Sequence, residues 1–287
     1  PAIYYAEYGF HVTERIGEAW AGSERKLLRE PPAAATWLVD GQAPQIGDLF
    51  VNPGLAKTLR MIAEGGRDAF YRGPIAEAIV AYSDSKHGFL TMQDFEEHTS
   101  TWVEPLSTDY KEYTLYELPP NGQGIAALGA LNIAEGFDIR GMGAQSPDAY
   151  HHLIEAMRLG FADAFQYVAD PRKANVPIKG LTSKDFAITR RALMDSKKAM
   201  ATVPYGQVLN GSDTVYISVV DGQGNACSFI NSVFTNFGSG MVVPGTGIVL
   251  HNRASLFSLD PNHANHLAPH KRPYNTIIPG MATIGDE

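Results

Sequence analysis

The stretch from position 213 to position 232 constrains this chain most. Thr214 opens the β-branched run Val215-Tyr216-Ile217-Ser218-Val219-Val220, and Asp221-Gly222-Gln223-Gly224-Asn225 supplies turn residues. The run Cys227-Ser228-Phe229-Ile230-Asn231-Ser232 then comes straight back. Two β-branched segments around a Gly/Asn turn read as a hairpin, here expected to be buried. With residues 221–225 as the loop, Val220 faces Ala226 and, at the far end, Thr214 faces Ser232. Directly opposed side chains in such a pair sit about 4.5–5.5 Å apart at Cβ. The hairpin therefore sets one hydroxyl beside another at its open end.

An ordinary threonine hydroxyl is a weak nucleophile, and the free α-amino group of the same residue can serve as its base. That amine titrates near 7.7–8.0, so much of it can be neutral near physiological pH. It exists only if the Asp213–Thr214 bond is broken. Attack by the Thr214 hydroxyl on the Asp213 carbonyl would form an ester that water releases, leaving residues 1–213 and 214–287. Taken alone, the same pattern also suits an ordinary threonine at the start of a strand.

The remaining composition narrows the class. With 44% hydrophobic and 19% charged residues, 287 residues can bury a sizeable core. The 23 basic and 31 acidic residues leave a net charge of −8, with short basic pairs such as Lys197-Lys198 and Arg190-Arg191. A nucleic-acid partner is argued against, because phosphate binding needs clustered Lys and Arg. The one cysteine, Cys227, permits no intrachain disulfide and reads as a small buried hydrophobe. No run approaches the ~18 apolar residues of a membrane span. No signal peptide is visible. Both ends read as cut: Pro1 stands where a methionine would, and Gly285-Asp286-Glu287 reads as the start of a turn.

The first two-thirds of the chain reads as mostly helical. An amphipathic helix is expected over residues 19–29, closed by Pro31-Pro32. Asn52-Pro53 is a start signal, an N-cap followed by proline at the first helical position. Its helix should end at Gly65-Gly66, and another should follow Gly73-Pro74. Thr91 and Asp94 suggest a capping box. Residues 106–110 and 113–118 alternate as a hairpin, and Pro119-Pro120-Asn121-Gly122-Gln123-Gly124 leads into a helix over 125–135. Ser146 caps the longest helix, to about Val168, whose small face (Ala156, Gly160, Ala162, Ala164) predicts close packing. Thr182-Ser183 caps a helix through about Asp195. Beyond Ala201 glycine, serine and β-branched residues take over, with strands expected over 275–278 and 281–284. Helices followed by a run of strands suggest an α+β domain.

Several of these stretches together resemble the gamma-glutamyltranspeptidase family. They are Gly47-Asp48-Leu49-Phe50-Val51-Asn52-Pro53, Glu64 to Gly73, the 117–124 loop, Ala169-Asp170-Pro171-Arg172, the 213–232 hairpin, Phe237-Gly238-Ser239-Gly240 and Lys271-Arg272-Pro273. The resemblance implies the four-layer αββα N-terminal-nucleophile (Ntn) hydrolase sandwich, self-cleavage before Thr214 and two-step acyl transfer. Thr214 would take a γ-glutamyl-type acyl group from an amide, and water or an amine would accept it. Ser232, eighteen positions later, matches the family's supporting hydroxyl. The resemblance further implies no cofactor and no metal. It implies a large–small subunit pair cut from one precursor, with residues 1–213 and 214–287 as portions of the two subunits in one composite domain.

The departures concern substrate. Phe234 stands where glutathione-cleaving members place an asparagine for the substrate amine, and Leu256 where they place an acid. Arg253 replaces a neutral or acidic side chain, and Asn275-Thr276 replace the paired serines of the carboxylate site. The oxyanion glycines would lie beyond Glu287 and the carboxylate-clamping arginine before Pro1. A glutaryl or cephalosporin-type acylase, or a non-catalytic member, stays open as an alternative. His263, His266 and His270 share one loop but lack the carboxylates that would complete a metal site. The glycine-rich loop at 121–124 lacks the Lys-Ser/Thr of a phosphate loop and reads as packing or a pocket wall.

Overall fold

The computed structural model describes residues 1–204 and 215–285. Two compact units emerge, Pro1–Thr101 with Ser232–Asn252, and Trp102–Asn231 with Arg253–Glu287. Asp213 and Thr214 lie outside the described residues. Among the described residues no helix is long and apolar enough to cross a membrane.

In the first unit the order is α1 (Ala2–Tyr8), β1 (Phe10–His11), α2 (Glu14–Ala21), α3 (Glu24–Leu27), α4 (Pro31–Trp37), β2 (Leu49–Phe50), α5 (Pro53–Tyr71), α6 (Pro74–Ser85) and α7 (Met92–Glu96). β1 pairs antiparallel with β2. One core gathers Val12, Trp20, Leu27, Phe50 and Val242. Within it Trp37 stacks on Phe50 at 5.4 Å while Trp20 meets Phe50 edge-on at 4.6 Å, geometries the ring quadrupoles favour. The single helix expected over 19–29 is corrected: it breaks at Gly22, and Pro31-Pro32 open α4 rather than close its predecessor. Proline suits a first turn, where its missing N–H has no partner to lose. The other signals hold. Asn52 accepts from Leu55 N–H, Gly66 interrupts α5 at φ 59°, and Thr91 and Asp94 form the capping box.

The second unit runs β3 (Leu106–Tyr110), β4 (Tyr113–Glu117), α8 (Gly124–Ala134), α9 (Pro147–Tyr167), α10 (Ile178–Leu181), α11 (Lys184–Arg191), β5 (Val215–Val220), β6 (Ala226–Asn231) and β7 (Met281–Ile284). β3, β4 and β7 form an antiparallel sheet with β4 central. α8 covers this sheet and α9 packs on α8. Sandwiched so, α8 carries no charged residue and is buried around most of its circumference. The small face of α9 explains the close approach, since a Cβ at Gly160 would lie 2.5 Å from the Ala126 carbonyl oxygen. α11 is shorter than expected, ending where the Arg191 guanidinium turns to the Ile133 and Asn132 carbonyls at the end of α8, both at 2.8 Å.

The hairpin β5–β6 has the expected register, Val220 opposite Ala226 through Val215 opposite Asn231. Asp221 holds its turn by accepting from the Gln223 and Asn225 N–H groups. Burial is the correction: every residue of β5 is exposed, and so is Cys227. β5 and β6 pair mainly with each other, so their faces gain little cover from the other described residues. Ser228 Oγ donates to the Gly280 carbonyl at 2.9 Å, tying β6 toward β7. The strand expected over 275–278 reduces to a single parallel bridge between Gly122 and Asn275.

Candidate active site

Three of the expected site residues meet within the second unit. Arg253 opens the 3₁₀ turn Arg253–Leu256 and is only 8% exposed. Its Nη1 donates to Asn275 Oδ1 at 2.6 Å and to Thr276 Oγ1 at 3.2 Å. Burial lowers its pKa from the ordinary arginine value, yet guanidinium stays charged in proteins. The result is a largely buried cation whose fork organises two polar side chains, an arrangement suited to planar anions.

The 119–124 loop fixes those two residues. Asn121 O accepts from Asn275 N–H at 2.9 Å, and Asn275 O accepts from Gln123 N–H at 2.9 Å. Gln123 Nε2 donates to Thr276 O at 2.9 Å, and Tyr274 Oη donates to Gln123 Oε1 at 3.0 Å. Asn121 Nδ2 completes the zip at the Pro273 carbonyl, 2.6 Å away. The loop is therefore a clamp on 273–276. Sequence alone left Asn121 and Gln123 unassigned, because their partners lie some 150 positions away. The one available signal was two amides between prolines and glycines.

Asp170 links two further motifs. It is 1% exposed, bonds the Arg172 guanidinium through both oxygens and accepts from Arg272 N–H at 3.0 Å. Burial works to raise its pKa, but Arg172 and the Arg272 and Arg172 N–H groups outweigh it and hold the carboxyl well below the usual range. This bond seats the 271–273 segment that leads into the clamped residues.

Other expected site residues lie in the first unit. Ser232 Oγ accepts from Phe234 N–H at 2.9 Å, and Phe234 is buried with φ 83°. Lys26 went unnoticed in the sequence. Its ammonium donates to Thr235 Oγ1 at 3.2 Å and to the Asn236 carbonyl at 2.8 Å, holding the turn after Ser232. Leu256, in the second unit, packs into the apolar cluster of Ile125, Val168 and Tyr274. In the histidine loop, His263 Nδ1 accepts from Asn265 N–H at 3.0 Å. Among the described residues no group of three His, Cys, Asp or Glu side chains could hold a metal ion.

The family model described as gamma-glutamyltranspeptidase matches residues 1–287. The glutathione hydrolase-like YwrD proenzyme of Bacillus subtilis is 39% identical over 99% of this chain and 54% of its own length. The oxamate amidohydrolase proenzyme of Klebsiella pneumoniae is 38% identical over 99% of this chain and 53% of its own. A crystal structure of cephalosporin acylase from Bacillus halodurans superposes with a TM-score of 0.90 at 42% identity, over 99% of this chain and 53% of that one. The chain thus spans about half the length of these relatives, and its fold is the α+β Ntn-hydrolase fold of that acylase.

Proposed function

The chain belongs to the gamma-glutamyltranspeptidase family, and from that premise we propose that it is part of an Ntn amidohydrolase or acyltransferase that cuts itself before Thr214. The register of β5–β6, Val215 opposite Asn231 through Val220 opposite Ala226, agrees with the hairpin expected from the sequence and supports this reading. In processing, Thr214 Oγ attacks the Asp213 carbonyl, the peptide nitrogen leaves as the new α-amine, and water hydrolyses the ester. The freed amine then serves as base. Thr214 Oγ attacks the substrate amide, its proton passes through the amine to the leaving nitrogen, and water or an acceptor amine takes the acyl group. Ser232 supports the nucleophile. Residues 1–213 and 214–287 are portions of the large and small subunits.

The substrate is a small acyl amide of the γ-glutamyl type. Buried Arg253, with Asn275 and Thr276, suits an acyl group ending in a carboxylate. Relatives named as glutathione hydrolase-like, oxamate amidohydrolase and cephalosporin acylase proteins all point to amide chemistry. Phe234 and Leu256 favour a second reading, a glutaryl-type acylase. Neither side chain can accept from a substrate ammonium, and an unpaired buried amine is costly.

The test is the intact mass of the full-length parent protein under denaturing conditions. Two species are expected, the smaller beginning at Thr214, with a single uncut species and no turnover for Thr214→Ala. Ser232→Ala should slow the cut. A wild type that stays in one piece on incubation would leave a binding or assembly role instead. Parallel γ-glutamyl and glutaryl anilides then separate the two acyl readings by kcat/KM.

A further inference from the structure

Glu117 is the last residue of β4, and the 119–124 loop starts two positions on. Gly124, at the other end of that loop, is the first residue of α8. The carboxyl lies between them: a Cβ at Gly124 would stand 2.5 Å from Oε2, and one at Gly280, just before β7, 2.8 Å from Oε1. Three chain segments thus converge on one side chain that is only 7% exposed. Beside it is a cavity of about 230 Å³ lined by Leu115, Leu128, Leu131 and Met281.

Among the described residues, the elements around it supply no countercharge. α8 and β7 contain no titratable side chain, and β3 and β4 add only Asp109, Tyr110, Tyr113 and Tyr116. Oε2 has no hydrogen-bond partner among the described residues. Burial pushes the pKa of this acid up to about 7, against an opposing backbone bond from Leu118. Below that pH the carboxyl fits its slot as a neutral group. Above it, a bare charge in apolar surroundings draws in water at the base of the loop.

We propose that Glu117 is a positioning residue for Asn275 and Thr276, its carboxyl bracing both ends of the 119–124 loop against the start of β7. The loop clamps those two residues through Asn121 and Gln123, and they in turn hold Arg253. Disturbing the base of the loop misplaces the side chains that contact the acyl group. This rests on Arg253, Asn275 and Thr276 being substrate contacts, as proposed above.

The experiment uses the processed full-length enzyme, wild type and Glu117→Gln, between about pH 6 and pH 8. For the wild type, KM should rise about tenfold with pH while kcat changes less, the size expected for a small misplacement. Glu117→Gln keeps the neutral shape and should hold the low-pH KM throughout. Glu117→Ala should raise KM at every pH. Hydrogen exchange of the amides of Asn121, Gly122, Gln123 and Gly124, corrected for intrinsic base catalysis, gives a readout without substrate. It should quicken with pH in the wild type and stay flat in Glu117→Gln. Matching KM and exchange profiles for wild type and Glu117→Gln would overturn the proposal, as would an Ala variant with wild-type values. If no acyl amide is turned over, the functional reading fails while the exchange result still decides the brace. If Glu117→Gln does not fold, the infrared band of a protonated carboxyl, titrated in the wild type, decides. Its loss only near the ordinary value for glutamate would sink the idea.

Discussion

Arg253 meets Asn275 and Thr276 through one nitrogen of its planar fork, a directional donor. Lysine keeps the charge but not that geometry. Arg253→Lys is therefore expected to raise KM for carboxylate-bearing acyl amides by roughly tenfold, about 1.4 kcal/mol. Self-cleavage, measured by intact mass, should proceed as in the wild type. A KM unchanged by the lysine would remove Arg253 from substrate binding. Arg253, Asn275 and Thr276 were legible only by resemblance, through their place in familiar motifs. Glu117 and Lys26 were not legible at all. An acid ending an alternating strand, and a lysine in a short helix, look like solvated residues. Their roles come from Gly124 and Gly280 in one case and from a turn some 210 positions away in the other.

Local rules predict the elements well where one residue carries the signal. Asn52, Thr91, Ser146 and Ser183 all cap the helices assigned to them, because a cap is satisfied within three residues. Asn52→Ala should cost about 1 kcal/mol, read as a lower urea midpoint. Helix ends set by distant groups were misjudged. The break after Ala21 accompanies the Trp20 indole reaching the Trp37 carbonyl at 2.8 Å, a bond no window around Gly22 contains. The α8–α9 contact combines both kinds of information. The small residues were visible, but their partner was not. Gly160→Ala drives a methyl against the Ala126 carbonyl and should destabilise by about 1–3 kcal/mol, lowering Tm. An unchanged Tm would mean the helices separate without strain.

For the molecule as a whole, two buried carboxyls set opposite pH limits. Asp170 has a depressed pKa, so its contribution is present above the ordinary aspartate value of 3.8 and is lost as pH falls. Glu117 has a raised pKa, so its contribution is full below 4.5 and is lost as pH rises towards about 7. Thermal unfolding should show Glu117→Gln flattening the decline on the neutral side and Asp170→Asn flattening it on the acid side. If each variant instead parallels the wild type across its window, these groups do not govern the profile. Composition and motif order were enough to establish an α+β chain of one family, the capped helices, and the hairpin register that points to Thr214 and Ser232. The caps and the hairpin register depend on residues within about twenty positions of one another, where backbone sterics and turn chemistry decide. The exposed faces of β5–β6, the clamp of loop 119–124 on 273–276 and the uncompensated slot around Glu117 were settled by tertiary packing. The clamp and the slot require segments far apart in the chain to meet, while β5–β6 stays exposed because the other described segments give it little cover, and no local pattern encodes either outcome.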